Sequence, residues 1–500
     1  MTFCPPFRAD IFNFPLVPYW TVFSNRVTIG VRNILWKKCE IAMPIHKRKN
    51  FITDFTSGPV LRSLLLFTVP LFLSNLLQAV YNMVDMIVVG RVVGEAGLSG
   101  VTIGGDILSF LTFISMGFSS ASQVIISQYI GAGMREKLSR FIGTMATTLI
   151  LCAAGMSVIS LLLREQILTW LNTPAESWEQ ALSYATTCMC GLVFIYGYNI
   201  VSAIMRGLGD SKRPFMFIAI AAVLNLILDI VFVAGFGWEA FGAALATVIA
   251  QGTSFLTALV YLYQKRDRFG FDFSLPNLRI DTHELAVLVK LGVPFAIRSA
   301  SIMFSRLFVS SWINGYGVTV SAVTGVGNKI NLVANLMGTA VTTAGSSMVG
   351  QNIGAEKYDR VRRILGSAFL INGVCFSIFI AVILLFPRTV FGLFTTDASV
   401  LTLCMEYVII LVITFVAAAL RDSMNAFTSG CGNYKFNFAV AIIDGLITRI
   451  GLSLLFGLAL SMGYFGFWLG DAISGAMPFV LGTFYYVSGF WKKKSAIVSD

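Results

Sequence analysis

Residues 69–90 read VPLFLSNLLQAVYNMVDMIVVG, most of an apolar stretch that runs from Leu64 to Val89 and carries one carboxylate, Asp85. About 20 predominantly apolar residues suffice to cross a bilayer as a helix. Stretches of that kind recur at 64–90, 101–127, 140–163, 182–205, 214–234, 241–264, 286–313, 321–348, 364–387, 402–428, 436–460 and 464–490, with short polar breaks between them. Of the 500 residues 56% are hydrophobic and 12% charged, where a soluble domain carries roughly 25% charged residues. The expected fold class is an all-α polytopic membrane protein with twelve transmembrane helices.

A net charge of +11 is also what a nucleic-acid binder shows, so the placement of the bases decides. The breaks after even-numbered spans hold Arg135, Lys137, Arg140, Arg206, Lys212, Arg213, Lys265, Arg266, Arg268, Arg279, Lys357, Arg360, Arg362, Arg363 and Lys435; those after odd-numbered spans hold little beyond Arg91, Arg164 and Arg388. Arg48 precedes the first span, and Lys492, Lys493 and Lys494 follow the last. This is the asymmetry of cytoplasmic loops. It predicts cytoplasmic termini, a multi-pass protein of the bacterial inner membrane, and no nucleic-acid partner.

The chain repeats itself. VPLFLSNLL from Val69 returns as VPFAIRSAS from Val293, SQYIGAGMREK from Ser127 as GQNIGAEKYDR from Gly350, and RGLGDSKRP from Arg206 as SGCGNYKFN from Ser429, all at an offset of about 224 residues. A six-span unit begins and ends on one side of the membrane, so its copy enters in the same orientation. Two six-helix bundles related by a pseudo-two-fold axis along the membrane normal are the plan of parallel-repeat transporters, with substrate near the midplane. The expected domains are an N-terminal extension (1–54), an N-terminal lobe (55–264), a cytoplasmic inter-lobe loop (265–285), a C-terminal lobe (286–490) and a cytoplasmic tail (491–500). The extension is expected to be poorly ordered, and MPIHKRKNF from Met43 reads as a natural start.

A carboxylate at the bilayer centre costs about 2.5–3.5 kcal/mol on insertion scales, so Asp85 should face protein or water. Asn75, Gln78, Asn82 and Asp85 follow a 3, 4, 3 spacing that puts them on one helix face beside Tyr81. Asn225 and Asp229 lie one turn apart in span 5, and span 6 adds Thr247. Two carboxylates, an amide and a hydroxyl make an oxygen-rich pocket for a hard cation such as Na⁺, or for a proton, which neighbouring carboxylates in a low dielectric share readily. The alternative for each is an interhelical hydrogen bond that holds the bundle together. At the equivalent positions of the second half stand Val309 for Asp85, Ser453 for Asp229 and Arg449 for Asn225. The second-half charges Arg298, Arg306, Lys329, Arg421, Asp422, Asp444, Arg449 and Asp471 are of both signs, and ion pairing or snorkelling is their expected role. Eight cysteines without a CxxC pair, and the histidines His46 and His283 outside the spans, speak against a zinc centre.

With these residues the chain resembles the multidrug and toxic compound extrusion (MATE) family over residues 55–490. The motifs are VPLFLSNLLQAVYNMVDMIVVGRVVG, SQYIGAG, RGLGDSKRPF, NLILD and GQNIGA. The resemblance implies two helical bundles in a V, not an enzyme, that export organic, often cationic and amphipathic compounds in exchange for inward Na⁺ or H⁺. Such a protein works without a cofactor, as a monomer, with a small-molecule substrate and membrane lipid as its partners. In the branch it resembles most, the DinF-like one, the cation site matches Asp85, Asn225, Asp229 and Thr247, and the substrate contacts match Gln78 and Tyr81; Asn82 and Asn199 are further substrate-binding candidates. Another branch has acids in spans 7 and 10, where this chain reads AIRSASIMFSR and FVAAALRDSM.

Rival readings remain. A lipid-linked precursor flippase shares the helical plan and needs a cationic cavity, for which Arg298, Arg306 and Arg449 are available. A major-facilitator transporter lacks support in GAGMREKLSR, and an integral membrane enzyme has no intramembrane histidine to use. A channel would show flux without ion coupling.

Overall fold

A computed structural model describes residues 52–266, 278–492 and 497. The expected start at Met43, the disorder expected before it and most of the inter-lobe loop lie outside the described residues. Twelve helical elements follow one another: α1 (Val60–Val92), α2 (Glu95–Gly131), α3 (Arg135–Leu162), α4 (Ala175–Cys190 and Leu192–Gly207), α5 (Lys212–Gly235), α6 (Glu239–Gln264), α7 (Thr282–Asn314), α8 (Val318–Gly354), α9 (Tyr358–Leu385), α10 (Ala398–Gly430), α11 (Tyr434–Ala459) and α12 (Gly463–Ser488). Among the described residues, ten helices are long and apolar enough to cross a membrane, eleven with the bent pair of α4 counted as one. The remaining one, α8, is 37 residues long but carries Asn328, Lys329, Asn331 and Asn335.

Uniform apolar spans conceal several breaks. Helix α4 bends by 51° at Gly191, where a β-carbon would collide with Val248 of α6. Helix α5 ends in π-turns at Ile230–Gly235, directly after Asp229, and α11 contains two such segments, Ile443–Thr448 and Leu455–Ala459. Single π-turns gather at functional sites. Pro70 and Pro294 both sit inside continuous helices. Gly209 and Gly432, equivalent in the repeat, end α4 and α10 at φ +83° and +68°, a left-handed conformation open to glycine at little cost.

The repeats exchange their first helices. The beginning of α1 (Val60, Leu64, Phe67, Leu71) packs into a core with Val341 and Met348 of α8 and Phe427 of α10. The beginning of α7 (Val287, Leu288, Leu291) packs into one with Ile125 and Tyr129 of α2 and Phe141 of α3. Tyr129 donates to the buried Glu284 at 2.7 Å. Between these cores α2 and α8 cross, with Gly131 against the backbone of Gln351 and Gly354 against that of Gln128. Small residues at such a crossing let the helix backbones meet.

Side-chain amides close the same end of the molecule, which also bears the basic breaks. Gln123 donates to Thr343 O (2.8 Å) and Ser347 Oγ (2.7 Å), and accepts from Arg206 Nε (2.8 Å). Gln128 donates to Gly430 O at 2.9 Å. Gln351 accepts from Phe55 N at 3.0 Å and donates to Thr53 O at 3.2 Å. Asn352 and Arg360 also hold Phe55 O.

Overpacking a filled contact costs roughly 1–3 kcal/mol. Gly354→Val should therefore lower the thermal unfolding midpoint of the purified protein. Gly366→Val, at a helical position with nothing within 4 Å of an added β-carbon, should shift it far less.

Candidate functional site

In the N-terminal lobe α1 packs on α5, and α5 on α6. Ala221, Ala222 and Ala250 keep their contact close around a cavity of about 10 Å³ that Tyr81, Asn225, Thr247 and Gln251 also line. That is room for about one water-sized molecule. Asn225 Nδ2 donates to Thr247 Oγ1 at 3.4 Å. Asp85, Asn225, Asp229 and Thr247 are all buried. Asp85 and Asp229 stand near enough for the charge of one to act on the other, and both act on the Tyr81 hydroxyl. Among the described residues, Asp85 Oδ1 and both carboxylate oxygens of Asp229 are buried without a hydrogen-bond partner.

Leaving such oxygens unpartnered costs roughly 1–3 kcal/mol for a neutral group and more for a charged one. A bound proton or a cation ligated by oxygen removes that cost. Among the described residues, no cluster of three or more His, Cys, Asp or Glu exists that would hold a multivalent metal.

The other sequence candidates separate. Tyr81 lies at the small cavity. Gln78 and Asn82 are exposed on α1 and line neither that cavity nor the larger one described below. Asn199 of α4 donates to Ser115 Oγ of α2 at 3.2 Å. Asn75, a member of the same stripe as Asp85, turns to the other lobe, donating to Leu336 O and Thr339 Oγ1 of α8 at 3.3 Å each.

The larger cavity, about 770 Å³, belongs to the C-terminal lobe, a size typical of small-molecule sites. Its floor meets the closed end at Gln123, Ser346 and Ser429, and it reaches Ile313, Tyr407 and Trp468 towards the other. Arg298, Arg306, Lys329, Arg421 and Arg449 line it with Asp422, Asp444 and Asp471. Sequence reasoning expected pairing or snorkelling for most of these charges and reserved a cationic cavity, with Arg298, Arg306 and Arg449, for the flippase reading. The expected ion pairing holds for two of the bases: Arg421 Nε meets Asp422 Oδ1 at 2.8 Å, and Arg449 pairs with Asp471.

The signal that could have found the cavity was the repeat itself. At an offset of 224, Arg449 and Asp471 occupy the positions of Asn225 and Thr247, so the α5–α6 hydrogen bond of one lobe reappears as the α11–α12 ion pair of the other. Arg306 stands for Asn82 at the same offset, and Lys329 for Asp106 at the 223 that aligns α2 with α8.

Removing one partner of a fully buried pair costs roughly 3–5 kcal/mol. Asp471 keeps 37% of its side chain exposed while Arg449 keeps 4%, so Arg449→Met should cost less, roughly 2 kcal/mol. The double variant Arg449→Asn/Asp471→Thr, which installs the first lobe's pair, should recover most of the loss in thermal unfolding.

Known proteins agree with this architecture. A family model described as MatE matches residues 70–231 and 294–455, one match in each repeat. The chain is 28% identical over 449 residues to the probable multidrug resistance protein YoeA of Bacillus subtilis (strain 168), covering 89% of this chain and 97% of that one. It is 29% identical over 440 residues to the probable multidrug resistance protein YpnP of the same organism, covering 88% and 97%. In fold it is similar to a MOP superfamily transporter from Pyrococcus furiosus Vc1 (DSM3638), described by a binding pocket of reverse polarity that suggests a different function. The TM-score is 0.81 and the identity 21%, over 89% of this chain and 99% of that one. The chain belongs to the MatE family of membrane transporters.

Proposed function

We propose that the protein is a secondary antiporter that exports small organic compounds in exchange for inward H⁺ or Na⁺, and that Asp85, Asn225, Asp229 and Thr247 take the coupling ion. The observation that carries this reading is the burial of Asp85 and Asp229 side by side with unpartnered oxygens. A role in multidrug efflux is supported by the names of the similar Bacillus proteins. The protein lies in the cell membrane with its basic breaks and both termini on the cytoplasmic side. Its lobes span 55–264 and 286–490. The end closed by Gln123, Gln128 and the glycine crossing is then the cytoplasmic one, and the large cavity lies on the outward side of that seal.

Exchange requires that ion and substrate favour opposite states, because a ligand shifts an equilibrium only through its differential affinity. A cation reaching Asp85 and Asp229 from outside neutralises a pair that is costly to keep charged in so small a space. That stabilises the tight packing of α1 on α5 and α6. Substrate held by the opposite state is released as the first lobe closes. One charge moving through 100 mV supplies about 2.3 kcal/mol, which sustains a concentration ratio of about fifty for a neutral substrate. Tyr81, at the lip of the small cavity, and Asn199, between α4 and α2, are the substrate contacts we favour in the first lobe; Gln78 and Asn82 would serve only in a state where the face of α1 that carries them lines a cavity.

The rival reading, a flippase for lipid-linked precursors, is favoured by one observation, the surplus of bases in the second-lobe cavity.

Everted membrane vesicles with a fluorescent dye in the external medium, where export appears as uptake, separate these readings. Imposed Na⁺ or pH gradients should drive dye movement by the parent chain, and the gradient that works names the ion. Asp85→Asn and Asp229→Asn should insert and fold as the parent does and lose at least about 90% of the gradient-driven rate, since each removes an ionisable oxygen from the pair. Undiminished ion-driven transport by either variant would refute the assignment.

A further inference from the structure

We infer that the cavity of the C-terminal lobe is a binding site for an amphipathic organic anion, with a carboxylate or phosphate group held by Arg306 and Lys329 and an apolar body against Phe295, Ile302, Leu332 and Ile410. This rests on the exchange reading for the direction of transport alone and names the class of compound carried.

Charge balance is the first argument. Five bases face three carboxylates across the lining. Asp422 is paired with Arg421 and Asp471 with Arg449, while Asp444, 1% exposed, has no hydrogen-bond partner among the described residues and lies within reach of the charges of Arg449, Arg298 and Arg421. Arg298 donates to a neutral acceptor, Asn425 Oδ1, at 2.6 Å. Arg306 and Lys329 are exposed at the cavity. Neither makes a hydrogen bond or an ion pair among the described residues, so both are free to hold an anion that enters the cavity. A cation entering this space meets a surplus of two positive charges; an anion meets the charge it lacks.

Position is the second. Arg306 stands where the first lobe has Asn82, and Lys329 where it has Asp106. Thus the repeat turns a neutral and an acidic position into two basic ones inside the same helical frame. The remaining polar lining includes the amides of Asn328 and Asn331, donors that suit anionic oxygens. Aliphatic and aromatic side chains complete the walls, as expected where an organic body, and not a bare inorganic ion, is bound.

The experiment is equilibrium binding to the full-length protein in nanodiscs of zwitterionic lipid, with no ion gradient. A failure of ion coupling in vesicles and a failure of anion binding therefore appear in different measurements. The probes are fluorescein in its dianionic form and ethidium as a cation of similar size, followed by fluorescence anisotropy. Fluorescein should bind more tightly than ethidium. Its Kd should rise at least about tenfold in Arg306→Gln/Lys329→Gln, whose altered side chains hold no partners, while the affinity for ethidium does not fall. In the unaltered protein the Kd should rise between about 50 and about 500 mM KCl, which needs no variant to fold. Competition by dodecyl phosphate and by benzoate identifies the source of the anion: stronger displacement by the first assigns the site to a lipid-like phosphate, and by the second to a soluble carboxylate. Tighter binding of ethidium, a fluorescein Kd unchanged in the double variant, or one indifferent to salt would each overturn the inference.

Discussion

The crossing of α2 and α8 is the contact on which the molecule turns. Gly131 and Gly354 each lie on the backbone of the opposing helix, close enough for the amide side chains of Gln123 and Gln128 to reach carbonyls and hydroxyls across the seam. Inside a bilayer no water is present to satisfy a misplaced donor, so polar groups must find protein partners. Those bonds hold only while the backbones touch. The same crossing lies on the pseudo-symmetry axis, which explains why each repeat can lend the beginning of its first helix to the core of the other. Closure at this end leaves the opposite end of the lobes free to differ.

They differ in sign. Asn225 and Thr247 meet as neutral groups while Arg449 and Asp471 meet as ions, at positions the repeat makes equivalent. Asp85 and Asp229 give way to Val309 and Ser453, both buried. In the first lobe the unpartnered groups are the carboxylates and the space beside them is about 10 Å³; in the second Arg306 and Lys329 outnumber the unpartnered Asp444 and the space is about 770 Å³. A small dry site suits a proton or a bare ion, whose binding is decided by a few oxygens. A large polar one suits a molecule with a body. The repeat supplies a common frame, and substitution at a few facing positions makes the two lobes chemically different.

Much of this was legible in the sequence, and the reasons are specific. Apolar runs of bilayer length fixed the helices, and the recurrence of VPLFLSNLL as VPFAIRSAS fixed their pairing, because both signals depend only on residue type and spacing. The 3.6-residue period placed Asn225 and Asp229 on one face, and they remain there. The stripe on α1 failed in part, since helix geometry aligns Asn75 with Asp85 but cannot say that α1 leaves one lobe for the other between them. Asn75 accordingly binds α8. The bend at Gly191 and the π-turns were hidden because both arise from what packs alongside, such as Val248. In the case of Ser305, a hydroxyl of α7 donates to the carbonyl of Gly445 inside the π-segment of α11. The second-lobe cavity was legible only in part, as the cationic cavity that a flippase would line with Arg298, Arg306 and Arg449. Read singly, a membrane arginine is most simply paired, and only the whole lining shows more bases than acids.

The course of α1 joins the two lobes mechanically. Its first turns are buried in the core of the C-terminal lobe, and its last turns carry Asp85 into the N-terminal one. Between them Asn75 holds Leu336 O and Thr339 Oγ1 of α8, and Thr339 itself lines the large cavity. Ten residues separate Asn75 from Asp85, about 15 Å of continuous helix. A helix transmits displacement along its axis far better than it absorbs it, except where a proline removes a ladder bond, and Pro70 lies before Asn75. The stretch from Asn75 to Asp85 is therefore one continuous helical segment beyond the ladder bond that Pro70 removes. In the proposed exchange, a change of packing that followed neutralisation of Asp85 would reach Thr339, on the wall of the large cavity, through one helical segment and one pair of hydrogen bonds.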